Sequence, residues 1–364
     1  MSTHISMLSA PQTIGFKRMF AKDKLTVGIY YPIASYDGDI PNLVGQEKLA
    51  EQADLGGFSA IWSRDVPLRD PYFGDVGHVM DPWIWMAHMI SHVKTAALAT
   101  GSIILPLHHP IDIAKSAASI DQLSGGRLVL GVATGDRPVE FPAFNVEHSE
   151  RGQLFRESLE YIETLFTSSA PVHKSSWGEI NGQAELIPKP IGKRIPIGIT
   201  GGSQQTMLWN AQHADFWLTY PRPISQQGLL VQEWNRLVKS SGSKVIKPVA
   251  QSLYIDLDEN PDAMPIPIRL GLRSGRKGLI YFLKNLEQIG IGHVAFNVKF
   301  NRRPMKETLQ ETDRGSHSTL PKTWKIEIVL FLLFRVIFAI IVFQYFGYNL
   351  CSISVSMISA YIGV

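Results

Sequence analysis

Between Leu25 and Val298, short apolar, β-branched runs alternate with longer amphipathic segments. This is the order expected when each buried strand of a parallel sheet is followed by a helix that covers it. The runs predict strands over Leu25–Tyr31, Ala60–Ser63, Ala96–Ile104, Leu128–Ala133, Ile195–Thr200, Phe216–Thr219, Val249–Asp256 and His293–Asn297. Most are apolar throughout rather than alternating, as strands buried on both faces are. The intervening segments predict a helix over Leu43–Leu55, capped by Asn42 and ended by Gly56-Gly57, and another from Pro110 to just before Gly125-Gly126. Further helices are predicted over Gly152–Phe166, Gln204–Ala211, Ser225–Lys239 and Arg276–Gln288. Trp83, Trp85, Met86 and Met89 share helical spacing, which reads as packing. The fold class is α/β, a (β/α)8 TIM barrel, which about 250 residues can form.

The pattern divides the chain into an N-terminal arm (1–24), a barrel (25–304), a polar linker (305–325) and an apolar tail (326–364). The arm lacks the continuous apolar core of a signal peptide and reads as a surface segment. Two connections, Ser168–Lys193 with Trp177 and Asp256–Gly275, are longer than a scaffold requires and are candidates for a lid. In the tail, residues 328–347 form an apolar stretch interrupted only by Arg335 and Gln344, long enough to span a bilayer. Lys322 and Lys325 precede it, which would leave the barrel in the cytoplasm with the tail as anchor. The competing reading is an extension without selected function, because Arg335 near the centre costs about 2.5 to 3.5 kcal/mol on insertion. Loss of a usual last covering helix would also expose barrel surface, which a homodimer could cover.

Charge narrows the partners. The 35 basic and 32 acidic residues leave a net charge of +3, with no basic cluster interleaved with aromatics, so nucleic acid is not an expected partner. A lone cysteine, Cys351, excludes an intramolecular disulfide and a cysteine zinc cage, consistent with a cytoplasmic setting. His108-His109 invites a metal reading, but neighbours on a strand point to opposite faces and no further ligand follows at helical spacing, so no metal is expected.

The stretch from Thr100 to Gly135 carries the most specific motif: Ala114-Lys115 and Asp121, then Leu-Ser-Gly-Gly-Arg over 123–127, then Gly131 to Gly135. Upstream stand Ala50-Glu51-Gln52-Ala53 and Gly57 to Trp62; downstream, Pro196 to Ser203 and Ala214-Asp215 follow in order. Together these resemble the luciferase-like monooxygenase family over about residues 25–300. The run Gly135 to Phe144 resembles a subgroup of it. The resemblance implies a bacterial-luciferase-type oxidoreductase in which reduced FMN from a partner flavin reductase, with oxygen, oxidises a small organic substrate. A deazaflavin coenzyme on the same fold, with hydride transfer instead of oxygen chemistry, is the alternative; a non-catalytic flavin-binding protein is another. No Gly-x-Gly-x-x-Gly fingerprint follows a strand, which fits an external source of reducing equivalents.

The residues themselves allow this chemistry without requiring it. Gly201-Gly202-Ser203 ends a strand and opens a helix, where small residues let backbone amides approach a phosphate, or simply make a tight turn. The resemblance places Thr100 and Gly101 against the flavin ring, and Gly101 has no side chain to keep a flat ring away. Asp136 and Arg137 fall on the catalytic face beyond the fourth strand, where Arg137 would pair with phosphate or form a structural ion pair. Catalytic candidates are His108, His109 and Asp136, with His148 near; Tyr31, Arg64, Asp65 and Arg273 are expected in the substrate pocket, beside Tyr30, Trp62 and Arg269. Arg127, on the opposite rim, reads as structural.

Overall fold

A computed structural model describes residues 13–192 and 194–309. Residues 1–12, the linker from 310, and the tail 326–364 with its apolar stretch 328–347 and Cys351 lie outside the described residues. Eight parallel strands close on themselves: β1 Thr26–Tyr30, β2 Ala60–Ser63, β3 Ala97–Thr100, β4 Leu128–Ala133, β5 Ile197–Thr200, β6 Phe216–Thr219, β7 Val249–Leu257 and β8 Ile291–Asn297. Closure is made by β8 returning to β1, with Thr26 opposite His293 and Ile29 opposite Phe296. Alternation along each strand sorts its side chains. Tyr30 points inward to pack on Trp62, whereas Tyr31 points outward and stacks on Trp85 at 4.0 Å.

The covering helices are amphipathic and bury one stripe each. Helix α4 (Pro110–Ser124) opens on its proline and ends at Gly125 in the left-handed region (φ 70°), burying Ile113, Ala114, Ala117, Ala118 and Ile120. The tryptophan–methionine cluster forms α3 (Pro82–Met89), capped by Asp81, with Trp85, Met86 and Met89 buried. Later helices span Arg151–Thr167, Met207–His213, Ile224–Ser240 and Arg276–Gln288. Among the described residues, no helix is long and apolar enough to cross a membrane.

Four expectations need correction. Asn42 does not cap the first covering helix: its side chain accepts from Val44 N at 2.9 Å, and helix α2 (Gln46–Leu55) starts after Gly45. The strand predicted over Ala96–Ile104 is broken at Gly101 and resumes only at Ile103–Ile104. The two long connections are not structureless. Val172–Ser175 and Gly178–Asn181 form an antiparallel hairpin, and Gly271–Ser274 adds a parallel strand beside Tyr254–Leu257. Residues 13–20 are not a surface arm either: helix α1 (Ile14–Met19) tucks under the N-terminal ends of the strands, with Phe16 and Met19 buried among interior side chains. Gly15 N donates to Gly126 O at 3.0 Å, and Phe20 packs on Phe216 at 5.2 Å between ring centres.

Just above this floor lies His293, fully buried. Trp62 Nε1 donates to His293 Nε2 at 3.0 Å, so Nδ1 carries the hydrogen and donates to Thr26 Oγ1 at 2.8 Å, while the Thr26 hydroxyl donates to Met19 O. No acceptor is left for a second ring proton, and burial pushes the pKa down to about 3. The unfolded imidazole titrates near its ordinary value of about 6.5. Between these values only the unfolded chain takes up the proton, so stability present above about pH 6.5 falls by about 1.4 kcal/mol per pH unit on acidification. A His293→Gln variant is expected to melt lower at pH 7 but to lose stability less steeply down to pH 4.5, as followed by circular dichroism. Parallel slopes in both proteins would rule this out.

Candidate functional site

The site begins where β3 stops. A Cβ on residue 101 would stand 2.7 Å from the Tyr30 hydroxyl and 3.0 Å from the Trp62 ring, so the strand can pass this point only with glycine. The Gly101–Ser102 peptide is cis, and pairing with β4 is interrupted between Ala99–Val129 and Ile103–Val132. Thr100 bridges the gap from within: its hydroxyl donates to Gly131 O and accepts from Gly131 N, both at 2.8 Å. The deflected chain brings the Ser102 hydroxyl onto that of Thr200, at the end of β5.

Beyond this break, at the C-terminal ends of β2 to β6, lies a cavity of about 460 Å³. Of the residues expected at the cofactor, Gly101, Arg137, Gly201, Gly202 and Ser203 line it together; Arg64, Asp65, Asp136 and His148 join them. After β5 the chain turns with Gly201, Ser203 and Gln204 at positive φ (57°, 43° and 55°). Gly201 N donates to Leu218 O and the Ser203 hydroxyl to Thr200 O, but the amides of Gly202, Ser203 and Gln204 have no acceptor among the described residues. Successive free amides in such a turn form a concave donor set suited to an anion.

Cations gather around this turn. Arg151 donates to His148 O at 2.6 Å, and its buried Nε has no partner. Arg137 is buried over the Phe73 ring at 4.3 Å, with only a 3.5 Å contact to Val76 O and Asp75 at 4.0 Å. Arg64 is committed instead: one nitrogen reaches both Asp75 oxygens at 2.9 and 3.0 Å, and Tyr254 donates to the same carboxylate at 3.0 Å. Burial opposes the charge on Asp75, but Arg64 and the Tyr254 hydroxyl prevail and hold its carboxyl below the usual range. Deeper still, Glu140 is buried, and desolvation pushes its carboxyl up.

Other expected residues are placed elsewhere. Thr100 is fully buried and does not line the cavity; its hydroxyl belongs to the lock on Gly131. Tyr31 faces outward against α3, and Arg273 pairs with Asp258 at 2.9 Å, so neither enters this cavity. His108 stands behind the wall, 2.7 Å from Asp65 Oδ2; burial disfavours its charge, but the carboxylate outweighs burial and raises its pKa. His109 caps α4, accepting from Ile111 N at 3.2 Å, and its Nε2 lies 3.0 Å from Trp177 O. Arg127 is structural, donating to Ser124 O and Ala96 O. Asp75, Ser102, Arg151 and Tyr220 were missed by sequence reasoning. Ser102 alone carried a signal, its place directly after Gly101.

A cavity at the C-terminal ends of a closed parallel barrel is the architecture of the (β/α)8 enzymes. The chain belongs to the luciferase-like monooxygenase family, which it matches over residues 25–264. It is 27% identical over 200 residues to 4-hydroxyprotoasukamycin monooxygenase of Streptomyces nodosus subsp. asukaensis, covering 53% of this chain and 52% of that protein. It is also 27% identical over 192 residues to the F420-dependent hydroxymycolic acid dehydrogenase of Mycobacterium tuberculosis, covering 52% and 51%. The chain thus spans about half the length of these curated relatives. The monooxygenase RslO1 from Streptomyces bottropensis shares the fold, with a TM-score of 0.66 at 17% identity over 80% of this chain and 98% of that one.

The Arg64–Asp75 pair is mostly withdrawn from water, with side chains 10% and 22% exposed. Removing one partner strands the other charge, at a cost of about 3 kcal/mol, whereas replacing both is milder. Asp75→Asn is therefore expected to destabilise more than the double variant Arg64→Met/Asp75→Asn in urea denaturation. Strict additivity of the two single changes would show that the charges are not coupled.

Proposed function

We propose that the chain is a flavin-dependent oxidoreductase, the oxygenase component of a two-component monooxygenase that takes reduced FMN from a separate reductase. The observation that carries this reading is the single cavity holding the Gly101 gap, Arg137 and the free amides of residues 202–204. Its volume falls within the range of small-molecule and cofactor sites. The amides of Gly202, Ser203 and Gln204 would bind the phosphate, with Arg151 and Arg137 supplying opposite charge. The backbone at Gly101 and Ser102, which lines the cavity, would face the flat ring, and Ile104 and Ala133 would exclude water beside it. Bound in its reduced form, the flavin would supply the two electrons that reduce one atom of O2 to water while the other atom is inserted into a small organic molecule. His108, charged more readily because of Asp65, is positioned to hold a proton at Nε2 behind the wall, and Asp136 stands at the rim.

A second reading, hydride transfer with a deazaflavin coenzyme, is favoured by equal identity to the F420-dependent dehydrogenase. The same phosphate-directed turn would serve either cofactor. Fluorescence titrations with FMN and with the deazaflavin coenzyme, on wild type, Arg151→Ala and Arg137→Ala, separate the two. FMN is expected to bind more tightly than deazaflavin, with each substitution weakening it about tenfold, or about 1.4 kcal/mol. Tighter deazaflavin binding would select the second reading; binding of neither, or binding indifferent to both substitutions, would end the proposal.

A further inference from the structure

The barrel mouth is divided. Beside the cavity over β2 to β6 lies a second, of about 650 Å³, at the C-terminal ends of β7, β8 and β1. The partition is the segment after β2: Phe73 and Asp75 face the first cavity, while the Gly74 carbonyl between them accepts from Arg269 at 3.0 Å and from Lys299 at 3.3 Å, both of which line the second. Two cations therefore share one neutral oxygen, and among the described residues neither has a carboxylate within 4 Å.

Of the other charges lining this cavity, Arg302 and Asp256 are spent on one another, whereas Asp37 makes no ion pair among the described residues. Arg302 pairs with Asp256 at 3.2 Å, and Arg273 reaches the same carboxylate at 3.7 Å. Three lining cations (Arg269, Lys299, Arg302) against two lining carboxylates (Asp37, Asp256) leave one positive charge, which a monoanion neutralises. Lys299 is 6% exposed and sits between the Tyr36 and Phe300 rings, 5.0 and 5.7 Å from their centres. Burial lowers its pKa; the more distant Asp75 carboxylate opposes this, and Arg269 lowers it further. Among the described residues the buried Tyr36 hydroxyl has no hydrogen-bond partner of good geometry, although Arg64 lies close to it, and Ile268 and Phe300 add apolar wall. A buried ammonium with donors to spare, a guanidinium fork and an idle phenol beside apolar surface match a carboxylate attached to a small apolar body.

We propose that this second cavity binds the carboxylate of an organic acid through Lys299 and Arg269, making the substrate class a small monocarboxylate. The assignment rests on the oxidoreductase reading only in calling that acid a substrate. The segment around Gly74 is a wall common to both cavities, so an acid held here would lie beside the cavity assigned to the cofactor.

The test is calorimetric titration of the flavin-free full chain with benzoate and with benzamide, its neutral counterpart. Benzoate is expected to bind and benzamide not, with Lys299→Met and Arg269→Gln each weakening benzoate at least tenfold. Equal binding of the two probes, or Arg269→Gln within twofold of wild type, would overturn the proposal. So would loss of benzoate binding in Arg137→Ala with retention in Arg269→Gln, which would put the anion in the other cavity. Should Lys299→Met fail to fold, Arg269→Gln, whose side chain is exposed, still decides. Flavin binding is read separately by fluorescence, so its absence would count against the cofactor reading and leave the benzoate result standing.

Discussion

One threonine hydroxyl holds the working end of this barrel together. Thr100 Oγ1 both donates to and accepts from the backbone of Gly131, replacing ladder bonds that β3 and β4 lose where the chain deflects at Gly101. Residue 131 must lack a side chain for this to occur, because a Cβ there would fall 1.9 Å from Thr100 O. The barrel thus stays closed while Gly101 and Ser102 leave the sheet for the cavity, and Ser102 ties the deflected chain to β5 through Thr200. Without that substitution of side chain for main chain, the deflection would leave backbone donors and acceptors buried and unpaired.

Electrostatics then separates the mouth into regions of different character. Arg64 and Asp75 neutralise each other between the cavities, and Tyr254 joins them from β7. On one side remain free amides and two lightly committed arginines; on the other, Lys299 and Arg269 converge on a carbonyl. A neutral divider lets each region present its own positive charge without the two merging into one diffuse field.

The strand positions were legible because buried parallel strands are written as apolar runs, and seven of the eight predicted strands lie where their runs stand. The exception, Ala96–Ile104, reads as continuous because Gly101 and Ser102 are small enough to pass for strand interior; only contact with Tyr30 and Trp62 shows why the chain must turn aside. That Gly101, Arg137 and Gly201 to Ser203 share one cavity was legible through motif order. Asp75 and Lys299 were not, since each takes its meaning from partners far along the chain: Arg64 and Tyr254 for one, Gly74 and Tyr36 for the other. Expecting both Tyr30 and Tyr31 at the pocket overlooked parity: neighbours on a strand face opposite sides, and Tyr31 packs outward on Trp85 while Tyr30 packs inward on Trp62.

The helix Ile14–Met19 precedes every strand, yet it is the stopper of a vessel that does not exist when it is made. Its contacts, with those of Phe20 that follows it, reach Gly126, Phe216 and His293, so this early helix must wait for the last barrel strand before it finds its seat. Such distant closures slow the search for the native state and leave apolar rings uncovered until late in synthesis. The base of the barrel, more than its reactive rim, thereby sets how long the newborn chain remains vulnerable to association.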